Sequence, residues 1–369
     1  VTPAATAPER LARQRSAAQA LQRPAAIREP VDVVRHSGPV QAQEPRAARL
    51  AFRARSRCLV AADVDRARTE ERSLLRAWVM RKTVHLIDAE DAGWMVPLFA
   101  PATVRWSRKR LADFGLDRRA QDRAMKLVHD AVDAEGALTR PELGRRLDSA
   151  GLKLASQYKV HLWLLATLDG ELCLGPDRGA RTCLVRTSDW LGKLKPRPRE
   201  DSLAELAIRY LRGYAPASWR DFARWAGLPL RDARAGFERI GSRLASARTT
   251  EGELHVLGRA PRAARSPVVR MLGAFDNYNL GYVSRAFAAD EDGVKQILPG
   301  GGIVRPAIAV DGRFVGTWVS KRSGDRLAVK LEPFAGDNGF DEPWIDALEA
   351  EVADLGRFEG LDASLKRST

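Results

Sequence analysis

Cysteine, lysine and long apolar runs are what this chain has little of. Its three cysteines, Cys58, Cys173 and Cys183, form no Cys-x-x-Cys pair and match no zinc or iron–sulfur spacing, which excludes the metal-cluster classes. So sparse and odd a count fits a reducing cytoplasm, where free thiols serve mostly as small buried hydrophobes. Nowhere do about 18 apolar residues follow one another, so no membrane span is expected. The start, Val1 to Pro8, has no apolar stretch of the secretory kind. The expectation is a soluble cytoplasmic protein with no metal, no cofactor and no membrane partner.

Lysine supplies only 11 of the 61 basic residues, and arginine the other 50. A net charge of +14 and a pI near 10.2 point to a polyanionic partner. Codon usage in a GC-rich genome accounts for part of the arginine, as it does for the many alanines. Guanidinium forks also grip phosphates and reach into grooves better than ammonium groups do. At 369 residues the chain suits two to four compact units.

The clearest unit lies between Ser202 and Gly258. Ser202-Leu-Ala-Glu205 reads as a capping box opening a helix, with Leu203, Leu206, Ala207, Tyr210 and Leu211 on one face. Ser218-Trp-Arg-Asp221 opens a second helix, which stops at Gly227-Leu228-Pro229. A third follows, with Leu230, Ala233, Phe237 and Ile240 inward. Arg243 to Thr249 and Leu254 to Leu257 then flank Glu251-Gly252 as a hairpin. Two helices across a tight turn make a helix-turn-helix, and the added hairpin makes a winged helix.

Similar grammar runs from about Asp117 to Arg186. Gln121 to Ala134 reads as a helix, Thr139-Arg-Pro-Glu142 caps the next, Ala155 to Thr167 makes a third, and Asp169-Gly170 turns a hairpin returning along Glu171 to Leu174. The N-terminal part reads likewise, with wing strands around Arg81-Lys82. After Pro261 the pieces Val268 to Ala274, Ile303 to Val310, Arg313 to Ser320 and Arg326 to Leu331 read as strands. Asp311-Gly312 is a type I′ turn signal, and a helix from Glu342 to Leu355 closes the chain. The expected class is α+β, mainly helical: three tandem winged-helix units and a C-terminal β-barrel-like domain, divided as 1–116, 117–200, 201–261 and 262–369.

Three segments stand in a telling order. Gln41-Ala42-Gln43 lies between helix-like stretches Pro30 to Ser37 and Pro45 to Ala54; Leu75 to Leu86 follows; Ala274-Phe275-Asp276-Asn277-Tyr278-Asn279-Leu280-Gly281-Tyr282 comes much later. Gln-x-Gln by itself arises by chance in any sizeable protein. In this order and spacing the segments resemble the AlkZ-like DNA glycosylases, winged-helix enzymes that remove alkylated purines from DNA, over about Leu11 to Phe334. The resemblance implies a concave DNA-binding surface of tandem winged helices, a double-stranded DNA partner carrying alkylated guanine, and attack on the lesion within the duplex. It implies a catalytic role for Gln41 and Gln43. The expected form is a monomer, nucleoid-associated when bound to DNA, and some members of the family give self-resistance to a DNA-alkylating natural product.

The residue chemistry is compatible. In an extended segment residues two apart point to one side, so both amides can converge while Ala42 faces the protein. A glutamine is no general base, but its carbonyl can hold a water and its NH₂ can donate to a sugar or phosphate oxygen. An N7-alkylated purine is cationic and departs neutral. Positioning of water and dipoles that stabilise the sugar cation are then what the reaction needs. The other reading of the pair is two polar residues capping a turn. Glycosylases that also cut the backbone use an amine. With lysine so scarce and absent near Gln41, a monofunctional enzyme leaving an abasic site is expected.

Supporting candidates carry two readings each. Asp276 either orients water or caps a buried turn; His85 either touches the adduct or is structural. Arg81 and Lys82 on the first wing, Asn277 in the later motif, and Arg313, Lys321 and Arg322 around the Asp311-Gly312 hairpin are candidate DNA contacts, with Trp318 among them read as core. Related sequences often carry glycine where Lys82 stands, which bears on the turn there. Arg231 and Arg234 are phosphate contacts or a solvated face. The alternative function is a non-catalytic winged-helix DNA-binding protein or transcription regulator. Against it, the chain shows no leucine-zipper helix and no ligand-sensing domain.

Overall fold

Proline marks where several helices begin. The helices Pro8–Ala18, Pro30–Ser37, Pro45–Arg55 and Glu342–Glu359 all carry proline in the first turn, where its fixed φ is already helical and the missing N–H was unpaired anyway. The computed structural model describes residues 7–22, 27–152, 155–264, 267–334 and 339–366. Residues 1–6, expected to hold no secretory leader, lie outside that range. The class is α+β, and no helix among the described residues is long and apolar enough to cross a membrane.

The chain divides into two compact units, one of residues 65–202 and one of residues 1–64 together with 203–369. The four segments expected from sequence fall across these units differently. Segment 1–116 is divided between them, and 201–261, apart from its first two residues, shares a unit with 262–369.

In the continuous unit the hairpin Leu74–Trp78/Val84–Asp88 joins the hairpin Leu172–Arg178/Arg181–Arg186 through the antiparallel pair Arg76↔Leu174, with Leu138–Thr139 added beyond Arg181–Arg186. The first expected wing and the second unit's hairpin are therefore one sheet. Leu111, Val128, Leu143, Leu162, Leu174 and Leu184 belong to the core beneath it. The capping box Thr139/Glu142 is present. Asp169-Gly170 is not the hairpin turn, however. It follows the helix Ser156–Ala166 and so has no strand before it to pair with; the turn falls at Gly179, whose φ is +62°.

The Arg81-Lys82 turn has both residues in the left-handed region, φ +52° and +61°, and Thr83 N–H closes it onto Met80 O at 3.1 Å. This is type I′ geometry, which favours glycine or asparagine. A non-glycine residue there costs about 1–2 kcal/mol. The Lys82 ammonium lies 5.3 Å from the centre of the Trp106 ring, a contact that offsets part of that cost.

In the discontinuous unit the helices Arg199–Tyr214, Trp219–Ala226 and Leu230–Arg239 precede the hairpin Leu244–Thr249/Gly252–Leu257. The Ser218/Asp221 capping box forms. Ser202 caps nothing: the helix has already started at Arg199, and the Ser202 hydroxyl donates back to Pro198 O at 3.0 Å. Leu230 is 59% exposed rather than inward, since it is the first residue of its helix.

The C-terminal strands form an open sheet rather than a closed barrel. Its order is Asp362–Leu365, Arg326–Pro333, Arg313–Ser323, Ala307–Val310, Val269–Leu272, and the helix Glu342–Glu359 packs against both outer strands. Asp311-Gly312, φ +52° and +85°, turns the hairpin between Ala307–Val310 and Arg313–Ser323. Trp318 is buried in this sheet, its indole donating to Leu272 O at 2.8 Å.

Several arginines lie inside this unit. Arg15, Arg53 and Arg55 are each at most 2% exposed, where an unpaired charge would be prohibitive. Arg15 meets Glu251 at 2.9 Å and lies over the Tyr282 and Phe287 rings. Arg53 meets Glu351 at 2.8 Å and Asp354 at 2.9 Å. Part of the arginine excess that suggested phosphate contacts is thus spent in the core.

Candidate active site

The Gln41-Ala42-Gln43 segment runs between two helices, the first ended against side chains from distant parts of the unit and the second begun by a local cap. Helix Pro30–Ser37 ends at Gly38, φ +76° and ψ −177°, a conformation essentially confined to glycine. A Cβ there would stand 2.7 Å from Trp225 Cζ2. The Asn277 amide donates to Ser37 O at 3.0 Å, so the later motif braces the earlier one. Val40 and Ala42 are buried, 1% and 3% exposed. Glu44 then caps the helix Pro45–Arg55, accepting from Arg46 N at 3.1 Å and from Ala47 N.

With Val40 and Ala42 turned inward, the alternating residues turn outward. Gln43 is exposed and Gln41 half-buried, and Gln41 Nε2 donates to Gln43 Oε1 at 3.0 Å. Each amide orients the other. The result is a pair of neutral dipoles on a short, braced stretch of backbone, with no charged group of their own to titrate.

Gly38→Ala tests the bracing. It combines a forbidden backbone region with a clash on an indole, so urea denaturation should show about 2 kcal/mol lost; an unchanged midpoint would mean that the loop is not held at Gly38.

The remaining candidates take other places. Asp276 is 1% exposed. Its two oxygens each accept from Arg55 at 2.9 Å, and Oδ1 also takes the Tyr278 N–H at 2.9 Å. That makes it a buried ion pair and helix cap, with no exposed oxygen to hold water. Asn277, also buried, braces the glutamine loop rather than reaching solvent. Arg231 and Arg234 stand on the exposed face of Leu230–Arg239, paired with Asp232 at 3.4 Å and Glu238 at 2.7 Å. Arg313 reaches Glu9 Oε1 and Phe287 O, each at 3.4 Å. Lys321 and Arg322 are exposed at the far end of their strand, where Arg322 Nε donates to Gly324 O at 2.9 Å.

In the other unit His85 is fully buried. Burial first, and the Arg81 charge second, push its imidazole down to about 3. It is therefore neutral near pH 7, donating from Nδ1 to Thr83 O at 3.0 Å while Nε2 lies 3.2 Å from Arg81 Nη2. That role is structural: it holds the Arg81-Lys82 turn.

Two supporting residues were missed in the sequence. Glu44 carried a signal, an acidic residue directly before a helix-opening proline. Arg55 carried none, because nothing local distinguishes a buried arginine from a surface one. Among the described residues, no group of three or more His, Cys, Asp or Glu could hold a metal.

Known proteins resemble the chain over most of its length. The family described as "DNA glycosylase AlkZ-like" matches residues 34–358. An interstrand DNA cross-link repair glycosylase of Streptomyces sahachiroi is 29% identical over 313 residues, covering 78% of this chain and 80% of the relative. The solved structure of Streptomyces sahachiroi DNA glycosylase AlkZ matches with a TM-score of 0.77 at 25% identity, over 98% of this chain and 100% of that one. The chain belongs to the AlkZ-like DNA glycosylase family.

Proposed function

We propose that this DNA glycosylase hydrolyses the N-glycosidic bond of bulky N7-alkylguanine in duplex DNA, with Gln41 and Gln43 as its catalytic pair, and leaves an intact abasic site. The observation that carries the reading is the mutual amide bond of 3.0 Å on a braced, outward-facing segment. Alkylation at N7 makes the base a cation, so it departs neutral and the sugar is left as an oxocarbenium ion. The glutamine carbonyl dipoles stabilise that ion and hold the water that adds at C1′. The Glu44 carboxylate on the following helix cap offsets the positive end of that helix, which would otherwise oppose a nearby cation.

The scarcity of lysine supports a monofunctional reaction, as the first one in the sequence is Lys82. The helices and hairpins of 1–116, 117–200 and 201–261 are read as three winged-helix units. The exposed Arg231, Arg234, Lys321 and Arg322, with Arg313, Arg81 and Lys82, are assigned to phosphate contacts. A monomer acting in the cytoplasm on the nucleoid fits this reading. The cross-link substrate in the relative's name, and a role in self-resistance to an alkylating natural product, are extended to this chain on the same grounds.

Duplex DNA carrying one defined N7-alkylguanine, incubated with the protein and then heated in alkali, should break at the lesion. A cross-linked duplex should release its strands. Tight binding without alkali-labile breaks would replace excision with the regulator reading.

A further inference from the structure

A second site lies in the unit of residues 65–202, on the sheet face beside the helix Arg140–Ser149. It is a pocket of about 320 Å³ whose wall includes Trp78, Trp163, Arg76, Arg140, Arg181 and Thr182. The volume is at the lower end of the roughly 300–1,000 Å³ typical of small-molecule sites, room for one nucleotide and too little for a protein segment or a duplex.

Its chemistry is unusual for a surface hollow. Half-buried Trp78 and largely buried Trp163 contribute indole surface to the wall, and exposed Arg140 and Arg181 supply positive charge. Arg76 donates to the neutral Thr182 hydroxyl at 2.8 Å. The side chains of Arg140 and Arg181 are exposed and have no ion-pair or hydrogen-bond partner among the described residues. The neighbouring carboxylates are already engaged, Glu142 by Arg178 at 2.8 Å and Asp177 by Arg68, so the charge at the mouth is not cancelled. The Trp78 indole N–H is buried and meets no acceptor, whereas a buried indole N–H normally finds one.

We propose that this pocket binds a nucleoside phosphate, with its base against the indoles and its phosphate on Arg140 and Arg181. Aromatic walls accept any nucleobase because every base has a π-face, and guanidinium forks match phosphate oxygens. An unpaired nucleotide of a DNA strand and a free mononucleotide share this chemistry. The assignment does not rest on the excision reading, since Gln41 and Gln43 do not line this pocket.

Fluorescence anisotropy of a short labelled oligothymidylate tests it, with deoxyadenosine monophosphate as competitor and a blunt undamaged duplex as the control. Trp78→Ala should weaken oligonucleotide binding about tenfold or more. The Arg140→Gln/Arg181→Gln double variant, altered only at exposed positions, should weaken it similarly while duplex affinity and base release stay as in the wild type. Competition by the monophosphate would assign the site to free nucleotides as well; arginine-dependent oligonucleotide binding without competition would assign it to strands. Wild-type oligonucleotide affinity in the double variant, or an equal loss of duplex affinity, would overturn the proposal. Base release that fails while oligonucleotide binding still depends on these arginines would count against the glutamine pair alone.

Discussion

Replacing Gln43 by alanine should slow base release by about 10²-fold, the order seen when one preorganised dipole is taken from a transition state. Stability should stay within about 0.5 kcal/mol, because the side chain is exposed and makes no core contact. Gln41→Ala should cost a similar factor. The informative variant is the double one. Gln41 and Gln43 are joined by a hydrogen bond of 3.0 Å, so either deletion removes that contact from its partner. Residues that act as a unit lose activity non-additively, and the double variant should fall little below the worse single one. Single-turnover release from an N7-alkylguanine duplex, at saturating protein, reads this directly. Full release by both single variants would remove the pair from the chemistry. Multiplicative losses would mean that each amide acts alone.

Glu351→Ala should be strongly destabilising, at about 3–5 kcal/mol, because it leaves buried Arg270 without its carboxylate and Arg53 with Asp354 alone. Glu351 is 2% exposed. Its Oε2 accepts from Arg53 at 2.8 Å and from Met271 N at 2.9 Å, while Oε1 accepts from Arg57 at 2.9 Å and from Arg270 at 3.3 Å. The residue ties the helix Glu342–Glu359 to the helix Pro45–Arg55 and to the strand Val269–Leu272. Urea denaturation, followed by a probe in the discontinuous unit, measures the loss; a midpoint like that of the wild type would show the cluster to be energetically idle.

The same group sets an acid limit. Burial pushes the Glu351 carboxyl up, but attraction by Arg53, then Arg270, the Met271 N–H and Arg57 outweighs it, and the net direction is below the ordinary value of 4.5. A carboxyl depressed in the folded state contributes stability above its unfolded pKa and loses it as pH falls through the folded one. Stability should therefore drop below about pH 4.5 in the wild type, with a shallower slope in Glu351→Ala.

Much of the candidate site was legible because it is encoded over a few residues. Two glutamines two apart must share a side if Ala42 is buried, and a strand's alternation needs no distant partner. Ser218/Asp221 and Thr139/Glu142 satisfy helix ends from three residues away, and Asp311-Gly312 turns a hairpin by its own backbone preference. The failures share a cause as well. Asp169-Gly170 is good turn chemistry, but whether a turn makes a hairpin depends on what precedes it, and there a helix does.

What sequence alone determined is therefore the set of short-range features: caps, turns, the outward glutamines and the basic excess. Tertiary structure decided where those features meet. Asp276 became an ion-pair partner of Arg55 across 221 residues, and Glu351 of Arg53 across 298; Asn277 came to brace Ser37 across 240. An arginine bound for the core and one bound for a phosphate look alike along the chain, because the carboxylate that makes burial affordable is supplied only when distant segments pack together.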